Sequence, residues 1–242
     1  MTIQNAQPIL SVEHATKVFG GLIANEDISF EAKEGEIVGV VGPNGAGKTT
    51  LFNSLSGTHR LTSGRISFRG QNITRLSAHD ICRCGVGRTF QIPQSLNQMT
   101  VLENALVGSM FREHNMRKAR RNAEDIVAFC GLERYRDERV GRMNVIQKKR
   151  VEIARALATR PALLLLDETM AGLTDAERKE AVEFIRSINR MGITIIIVEQ
   201  NVTQTLQMCD YAYVIKNGKT VIDGTRASML SSDDVRTAYL GL

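Results

Sequence analysis

"IVGVVGPNGAGKT", residues 37–49, decides the fold of this chain, because it joins an apolar run to a glycine-rich turn and the start of a helical pattern. Residues 37–41 are apolar on both faces, as expected of a strand in a parallel sheet that is covered by helices. The turn fits the pattern G-x-x-x-x-G-K-[ST], and "KTTLFNSLSG" then places Leu51, Phe52 and Leu55 on one helical stripe. The stretch therefore predicts a strand, a loop and a helix that bind phosphate groups.

The glycine-rich turn supplies the first predicted ligand contacts. Gly42, Gly45 and Gly47 would let backbone N–H groups close around phosphate oxygens at a helix N-terminus. Lys48 would reach the β- and γ-phosphates of a nucleotide, and the Thr49 hydroxyl would ligate Mg²⁺. A chance glycine-rich turn is the alternative, but the flanking strand and helix match the context that this pattern needs. The nucleotide-binding residues predicted from this turn are Gly42, Pro43, Asn44, Gly45, Ala46, Gly47, Lys48, Thr49 and Thr50.

"LLLLDE", residues 163–168, supplies the second half of the predicted site. Four apolar residues that end in a carboxylate place Asp167 at the C-terminal edge of a buried strand, where it would hold the water shell of the metal. Glu168 follows directly and would orient or deprotonate the attacking water. A solvated carboxylate at the end of a strand is the alternative for Glu168.

The rest of the chain predicts an α/β protein. Residues 9–36 alternate like an antiparallel meander, residues 96–160 are helical in character, and residues 193–200 form a second buried strand. Thr100 with Glu103 predicts a capping box, and Asn217-Gly218 predicts a hairpin turn. The predicted fold is a P-loop (RecA-like) parallel-sheet core with an antiparallel β subdomain and an inserted α-helical subdomain. The core would comprise about residues 1–92 and 161–242, and the helical subdomain about residues 93–160, within one domain.

The composition excludes several classes of protein. The 242 residues are 43% hydrophobic and 24% charged, which fits one compact domain. The net charge of +5 indicates nucleic acid only weakly, and the basic run at 116–125 has no interleaved aromatic residue, which favours a solvated helix face. The four cysteines and four histidines form no disulfide or zinc pattern.

No apolar run approaches the roughly 20 residues that span a bilayer. The amino-terminal "MTIQNAQPIL" has no charged segment before an apolar stretch. Any link to a membrane would therefore run through another protein.

The chain resembles the ATP-binding subunits of ABC transporters, and most of all those of the branched-chain amino-acid importers. The stretches that show the resemblance are "GPNGAGKTT", "GRTFQIPQ", "RVEIARALATRPALLLLDE", "MAGL", "VEQN" and "VRTAYLGL". It implies that Phe19 stacks on adenine. The alternative is that Phe19 is an ordinary core residue at the edge of a strand. It also implies that Gln91 touches Mg²⁺ or water and reports to the membrane partner, with a plain exposed loop glutamine as the alternative.

One departure from the family lies at residues 143–147, "MNVIQ". In the family a Leu-Ser-Gly-Gly-Gln signature faces the nucleotide of a second subunit, but here the serine and both glycines are absent and Ile146 should crowd the phosphate. Asn144 can still donate a hydrogen bond, so the resemblance still assigns Asn144 and Gln147 to the nucleotide. Lys148 and Lys149 either compensate for the lost contacts or have no role there.

A second departure is Gln200, which replaces the switch histidine after "ITIIIVE". Its amide can donate to the γ-phosphate but cannot become cationic, and it joins Glu168 as a predicted catalytic residue. The two departures fall on different nucleotide sites of the dimer. Gln200 belongs with the nucleotide held by this chain's own glycine-rich loop, whereas the signature faces the nucleotide held by the partner's loop. This asymmetry favours a pair of non-identical ATPases over a homodimer.

The resemblance implies an ATPase at the cytoplasmic face of the inner membrane that uses ATP and Mg²⁺. Its implied partners are transmembrane permease subunits, a second ATPase subunit and, indirectly, a periplasmic binding protein, with no nucleic acid. The cargo would be a branched-chain amino acid or a related small polar metabolite. Alternatives are a non-hydrolysing regulatory subunit and a lipopolysaccharide-export ATPase, and a DNA-repair or translation ATPase is weaker.

Overall fold

The computed structural model describes residues 7–231, so the predicted "VRTAYLGL" similarity and the first residues of "MTIQNAQPIL" lie outside the described residues. The strands follow the predicted alternation of β and α segments. They are β1 (Leu10–Phe19), β2 (Leu22–Ala32), β3 (Ile37–Val41), β4 (Ser63–Phe68), β5 (Gln71–Asn72), β6 (Val86–Arg88), β7 (Leu163–Asp167), β8 (Thr194–Glu199), β9 (Tyr211–Lys216) and β10 (Lys219–Thr225).

The helices lie between these strands, and the longest of them fall in the predicted helical regions. They are α1 (Lys48–Leu55), α2 (Ala78–Cys84), α3 (Val101–Met110), α4 (Met116–Phe129), α5 (Val145–Ala158), α6 (Asp175–Asn189), α7 (Val202–Leu206) and α8 (Arg226–Ser231). Short 3₁₀ turns lie at Glu133–Tyr135 and Val140–Arg142. Within residues 7–231, no helix is long and apolar enough to cross a bilayer.

The described chain divides into two compact units, residues 7–84 with 170–231 and residues 85–169. The first unit contains a four-stranded antiparallel sheet in the order β2-β1-β4-β5. Leu10 pairs with Ala32 of β2 on one side and with Phe68 of β4 on the other. The predicted meander is therefore confirmed, and β4 extends it.

The first unit also contains the parallel strands that the opening stretch predicts. Strand β3 lies between β8 and β9 and pairs in parallel with both, with Val38 opposite Ile196 and Tyr211. Every residue of β3 and of β8 is buried, as a strand covered on both faces requires. Strand β10 returns antiparallel to β9 through Asn217 and Gly218, whose φ angles of 49° and 77° are those of a tight hairpin turn.

The second unit contains β6, β7 and the helices α3, α4 and α5, which pack against one another. Strands β6 and β7 pair in parallel, and the leucines at 163–166 are fully buried. Thr100 caps α3, and the predicted capping box with Glu103 is present. The unit begins at residue 85 because β6 contacts both β7 and α5. The helical subdomain predicted at 93–160 stays a prediction.

Candidate functional site

The loop at residues 42–47 in the first unit has the backbone geometry of a phosphate cradle. Gly45 and Gly47 have φ angles of 76° and 99°, in the left-handed region that favours glycine. Lys48 is buried, and its ammonium donates to the carbonyl oxygens of Gly42 at 2.6 Å and Pro43 at 2.9 Å. The lysine therefore lies across the loop, with its charge next to the turn.

Two of the glycines are required by their surroundings as well as by their backbone angles. A Cβ atom on Gly47 would lie 2.3 Å from the carbonyl oxygen of Ala24, and one on Gly42 would lie 2.1 Å from that of Ile215. A Cβ atom on Gly45 would meet no atom within 4 Å, so only its φ angle restricts that position. Neighbouring backbone therefore confines the loop from two sides and leaves the Gly45 corner open.

Asn25 supports this loop, although no sequence motif points to it. Its side chain is fully buried, and its amide nitrogen donates to the carbonyl oxygen of Gly47 at 3.0 Å. A buried asparagine side chain in a strand needs a polar partner, and the Gly47 carbonyl supplies it. Asn25 therefore fixes the residue from which α1 begins.

The start of α1 differs from that of the other helices in how its N–H groups are used. Within residues 7–231, α1 begins after Gly47 with no side-chain cap, whereas side-chain oxygens cap α3, α4, α5, α6 and α7. An anion at a helix N-terminus satisfies the same N–H groups and interacts favourably with the helix dipole. Thr49 is exposed and Thr50 is half-buried in the first turn of this helix. This arrangement fits the phosphates of a nucleotide.

Asp167 in the second unit ends β7 as predicted and is almost fully buried. Arg88 approaches its carboxylate at 3.4 Å, and the N–H of Asp167 donates to the Thr89 hydroxyl at 3.3 Å. Burial lowers the pKa of Arg88, while the charge of Asp167 opposes that shift. The guanidinium also lies 4.6 Å from the centre of the Phe90 ring. The guanidinium of Arg88, at the end of β6, and the hydroxyl of Thr89 therefore hold Asp167 in place.

Gln91 and Glu168 meet in the structure. The amide nitrogen of Gln91 donates to a carboxylate oxygen of Glu168 at 2.7 Å. Glu168 is buried and has a φ angle of 45°, which is uncommon for a residue with a side chain. Such backbone outliers are often found at functional sites. The two residues thus form a polar pair beside Asp167 at the end of β7.

Helix α5 contacts the backbone next to Glu168 and next to Gln91 through two side chains. No sequence motif predicts these two contacts. Lys149 donates to the carbonyl oxygens of Glu168 at 3.0 Å and Thr169 at 3.3 Å. The Glu152 carboxylate accepts the N–H of Phe90 at 3.3 Å and of Gln94 at 2.9 Å. Burial raises the pKa of Glu152, and these two N–H groups oppose the shift.

The altered signature at 143–147 begins α5 through a capping box. The Asn144 oxygen accepts the N–H of Gln147 at 2.9 Å, and the Gln147 oxygen accepts the N–H of Asn144 at 3.0 Å. Val145 is 62% exposed, and Ile146 is half-buried. The Lys148 ammonium donates to the Gly141 carbonyl at 3.3 Å. The cap uses the amide oxygens of Asn144 and Gln147, and their contact with a nucleotide stays a prediction.

Phe19 and Gln200 lie at the ends of strands in the first unit. Phe19 ends β1 and is 41% exposed, with the His59 ring at 5.4 Å and the Lys17 ammonium 4.5 Å from its ring centre. Gln200 is exposed and follows β8, whose last residue, Glu199, is buried and accepts the N–H of Met170 at 3.0 Å. Both residues therefore lie where a ligand can reach them.

The sequence and the fold together define a class of protein. A family model for ABC transporters matches residues 25–171. A solved structure of the ADP conformation of an ATP-binding cassette of an ABC transporter has a TM-score of 0.85 and 31% identity, over 97% of this chain and 99% of that chain. A nucleotide-free ATP-binding cassette from an ABC transporter has a TM-score of 0.83 and 31% identity, over 94% and 97%. The chain belongs to the family of ABC transporter ATP-binding proteins.

Within that family, the chain is similar to proteins of branched-chain amino acid transport. It is 36% identical to the high-affinity branched-chain amino acid transport ATP-binding protein LivG of Escherichia coli, over 98% of this chain and 99% of LivG. It is 34% identical to the corresponding protein BraF of Pseudomonas aeruginosa, over 98% of this chain and 99% of BraF. The predicted fold class and the predicted class of enzyme, an ATPase subunit of an ABC transporter, are confirmed.

Proposed function

We propose that the chain binds ATP with Mg²⁺ and hydrolyses it, and that hydrolysis powers the import of a branched-chain amino acid or a related small polar metabolite. The hydrogen bond of 2.7 Å between Gln91 and Glu168 is the observation that favours hydrolysis over binding alone. A subunit that only binds nucleotide has no need of a buried carboxylate held in a strained backbone conformation. The names of LivG and BraF support the class of cargo.

The first unit would bind the nucleotide itself. N–H groups in the first turn of α1, which has no side-chain cap, would donate to the phosphates, and the Lys48 ammonium would neutralise part of their charge. Asn44 and Ala46 belong to the same loop. The exposed ring of Phe19 would stack on adenine, because aromatic faces favour contact with flat bases. The exposed amide of Gln200 would donate to the γ-phosphate without carrying a charge.

The donor groups proposed for the metal fit Mg²⁺, which prefers hard oxygen ligands. The Thr49 hydroxyl would ligate it, and the Asp167 carboxylate and the Gln91 amide oxygen would hold its water molecules. When bound, the metal neutralises charge on the phosphate oxygens. Glu168 would orient the attacking water and accept its proton, and the hydrogen bond from Gln91 fixes the carboxylate that does so.

The proposed partners are transmembrane permease subunits, a periplasmic binding protein that delivers the cargo and a second ATPase subunit. The chain would lie at the cytoplasmic face of the inner membrane through these permease subunits. Asn144 and Gln147 would face the partner's nucleotide, where the serine and glycines of the usual signature are missing. Gln200 affects this chain's own nucleotide instead, and this asymmetry supports a heterodimer over a homodimer.

The test is ATP turnover of the chain assembled with its partner ATPase and permease subunits. Glu168→Gln should lower kcat at least about 100-fold, because it removes the proton acceptor. Binding of a fluorescent ATP analogue should stay within about twofold, since the P-loop is unchanged. Glu133→Gln, an exposed glutamate of the same unit, is the matched control and should retain turnover.

Two results would contradict the proposal. If Glu168→Gln does not lower turnover, the turnover comes from the partner ATPase. That result would support the alternative in which this chain binds nucleotide without hydrolysing it. Reconstituted vesicles with the binding protein should accumulate radiolabelled leucine, isoleucine or valine, and uptake of none of them would remove the branched-chain amino acids as the proposed cargo.

A further inference from the structure

The first turns of helix α5 present two side chains on one face toward the catalytic pair. Lys149 and Glu152 are three residues apart, so they lie next to each other on the helix surface. Lys149 reaches the backbone that carries Glu168, and Glu152 reaches the backbone around Gln91. One helix therefore contacts the backbone of Glu168 and the backbone on either side of Gln91.

The contact of Lys149 bears on a strained part of the backbone. Glu168 has a φ angle of 45°, and a residue with a side chain keeps such an angle only when its surroundings impose it. The Lys149 ammonium donates to the carbonyl oxygen of Glu168 at 3.0 Å and to that of Thr169 at 3.3 Å. A charged donor on two successive carbonyl groups orients both peptide units. It thereby fixes the direction in which the Glu168 carboxylate points.

The contact of Glu152 does the same for the loop that contains Gln91. Each of its two carboxylate oxygens accepts one backbone N–H, that of Phe90 on one side of Gln91 and that of Gln94 on the other. The side chain is 2% exposed, and Arg155 lies 3.9 Å from the carboxylate. A buried carboxylate that bridges two points of a loop restricts the loop between them.

We propose that Lys149 and Glu152 are positioning residues that set the geometry of the Gln91–Glu168 pair for ATP hydrolysis. The inference rests on the proposed function, since it assigns these residues to the same reaction. Neither residue would touch the nucleotide bound by this chain's P-loop. Because α5 begins at the Asn144 cap, a shift of the altered signature would move both residues and thus the catalytic pair of the same chain.

The first test removes the Lys149 donor in the assembled transporter. Lys149→Met keeps the length of the side chain and should lower the Glu168-dependent kcat by about 10- to 100-fold, since small displacements of a catalytic group have effects of this size. The KM for ATP should change by less than about twofold. Lys149→Arg keeps a charged donor and should restore most of the turnover. Lys118→Met, at an exposed lysine of α4, is the matched control.

The second test combines the variants. If Lys149 acts through Glu168, then Lys149→Met should lower the residual turnover of Glu168→Gln by less than about twofold. Independent effects would multiply instead, and that result would overturn the proposal.

Glu152→Gln tests the other contact, because an amide offers one oxygen where the carboxylate offers two. Turnover should fall about tenfold with the KM for ATP unchanged, and Glu133→Gln is again the control. Thermal unfolding of each variant is measured in parallel, so a loss of turnover is counted only for folded protein. If Glu152→Gln does not fold, the Lys149 variants alone decide the proposal.

The outcomes separate this inference from the proposed function. If Glu168→Gln abolishes turnover while Lys149→Met leaves kcat at the wild-type value, the inference is wrong and the proposed function stands. If Glu168→Gln has no effect on turnover, the proposed function is wrong and the inference falls with it. A lowered kcat for Lys149→Met with rescue by Lys149→Arg supports both.

Discussion

The P-loop of the first unit and the Gln91–Glu168 pair of the second are built in different ways. The P-loop is a run of consecutive residues whose shape is set by glycine φ angles and by hydrogen bonds of the lysine to the loop's own carbonyl groups. The pair joins residues 77 positions apart, and α5 holds it through two further side chains. Local backbone geometry thus fixes the first site, and tertiary contacts fix the second. Variants that change one support at a time should therefore affect the two sites differently.

The largest effect is expected at the P-loop lysine. Lys48→Met removes the buried charge that lies across the loop and should weaken nucleotide binding at least about 100-fold, since hydrogen bonds to charged groups contribute about 1.5–3 kcal/mol each. Titration of the purified chain with a fluorescent ATP analogue measures this loss. Lys33→Met, at an exposed lysine of the same unit, should bind as the wild type does. Equal affinity for both variants would show that the lysine does not serve the ligand.

The next effect compares two glycines of the same loop. Gly47→Ala should lower the free energy of unfolding by about 2 kcal/mol more than Gly45→Ala, because its Cβ atom would lie 2.3 Å from a backbone oxygen. Gly45→Ala meets only the strain of its φ angle of 76°, which costs about 1 kcal/mol. Urea unfolding of both variants measures the difference. Equal values would mean that the surrounding backbone does not confine the loop at Gly47.

The smallest expected effect is on the pH dependence of the free energy of unfolding, and it arises from Glu152 beside the Gln91–Glu168 pair. Burial raises the pKa of Glu152, so the folded chain binds this proton more tightly than the unfolded chain. The stability that protonation contributes is therefore fully present below the usual carboxyl pKa of about 4.3 and is lost as the pH rises through the raised pKa. Arg155 and Arg88, the cationic neighbours, oppose this shift.

The free energy of unfolding of the wild type minus that of Glu152→Gln should accordingly increase as the pH falls from neutral towards about 4.3. The change should be smaller than the difference between the two glycine variants. Urea unfolding at several pH values measures it, with Glu133→Gln to subtract effects shared by the whole chain. A difference that decreases on acidification would mean that burial does not raise the pKa of Glu152.

The sequence predicts what depends on near neighbours along the chain. The strand, turn and helix at 37–55, the capping box of Thr100 and Glu103, and the hairpin at Asn217 and Gly218 are all present. Each of them depends on hydrogen bonds or backbone angles within a few residues. Their patterns are therefore visible in a single sequence.

The contacts that the sequence does not show depend on which side chains the fold brings together. The sequence relates Lys149 to an anion of the partner's site, and its spacing gives no sign that its ammonium reaches the carbonyl of Glu168, 19 residues away. Glu152 looks like any polar position on a helix, although it bridges Phe90 and Gln94. Such partners depend on the packing of α5 and cannot be found from spacing.

The capping box at the start of α5 has a consequence for how the altered signature is compared with related sequences. By its letters, "MNVIQ" has lost the motif, because it lacks the serine and both glycines. By its hydrogen bonds, Asn144 and Gln147 occupy the first and last positions of a box that serine and glutamine also form. An alignment scored by identity therefore records the loss of the groups that would contact a ligand. It overlooks that "MNVIQ" and Leu-Ser-Gly-Gly-Gln can begin the helix with the same capping box. A chimaera with Leu-Ser-Gly-Gly-Gln at 143–147 would exchange the surface offered to the partner and keep the same first turn.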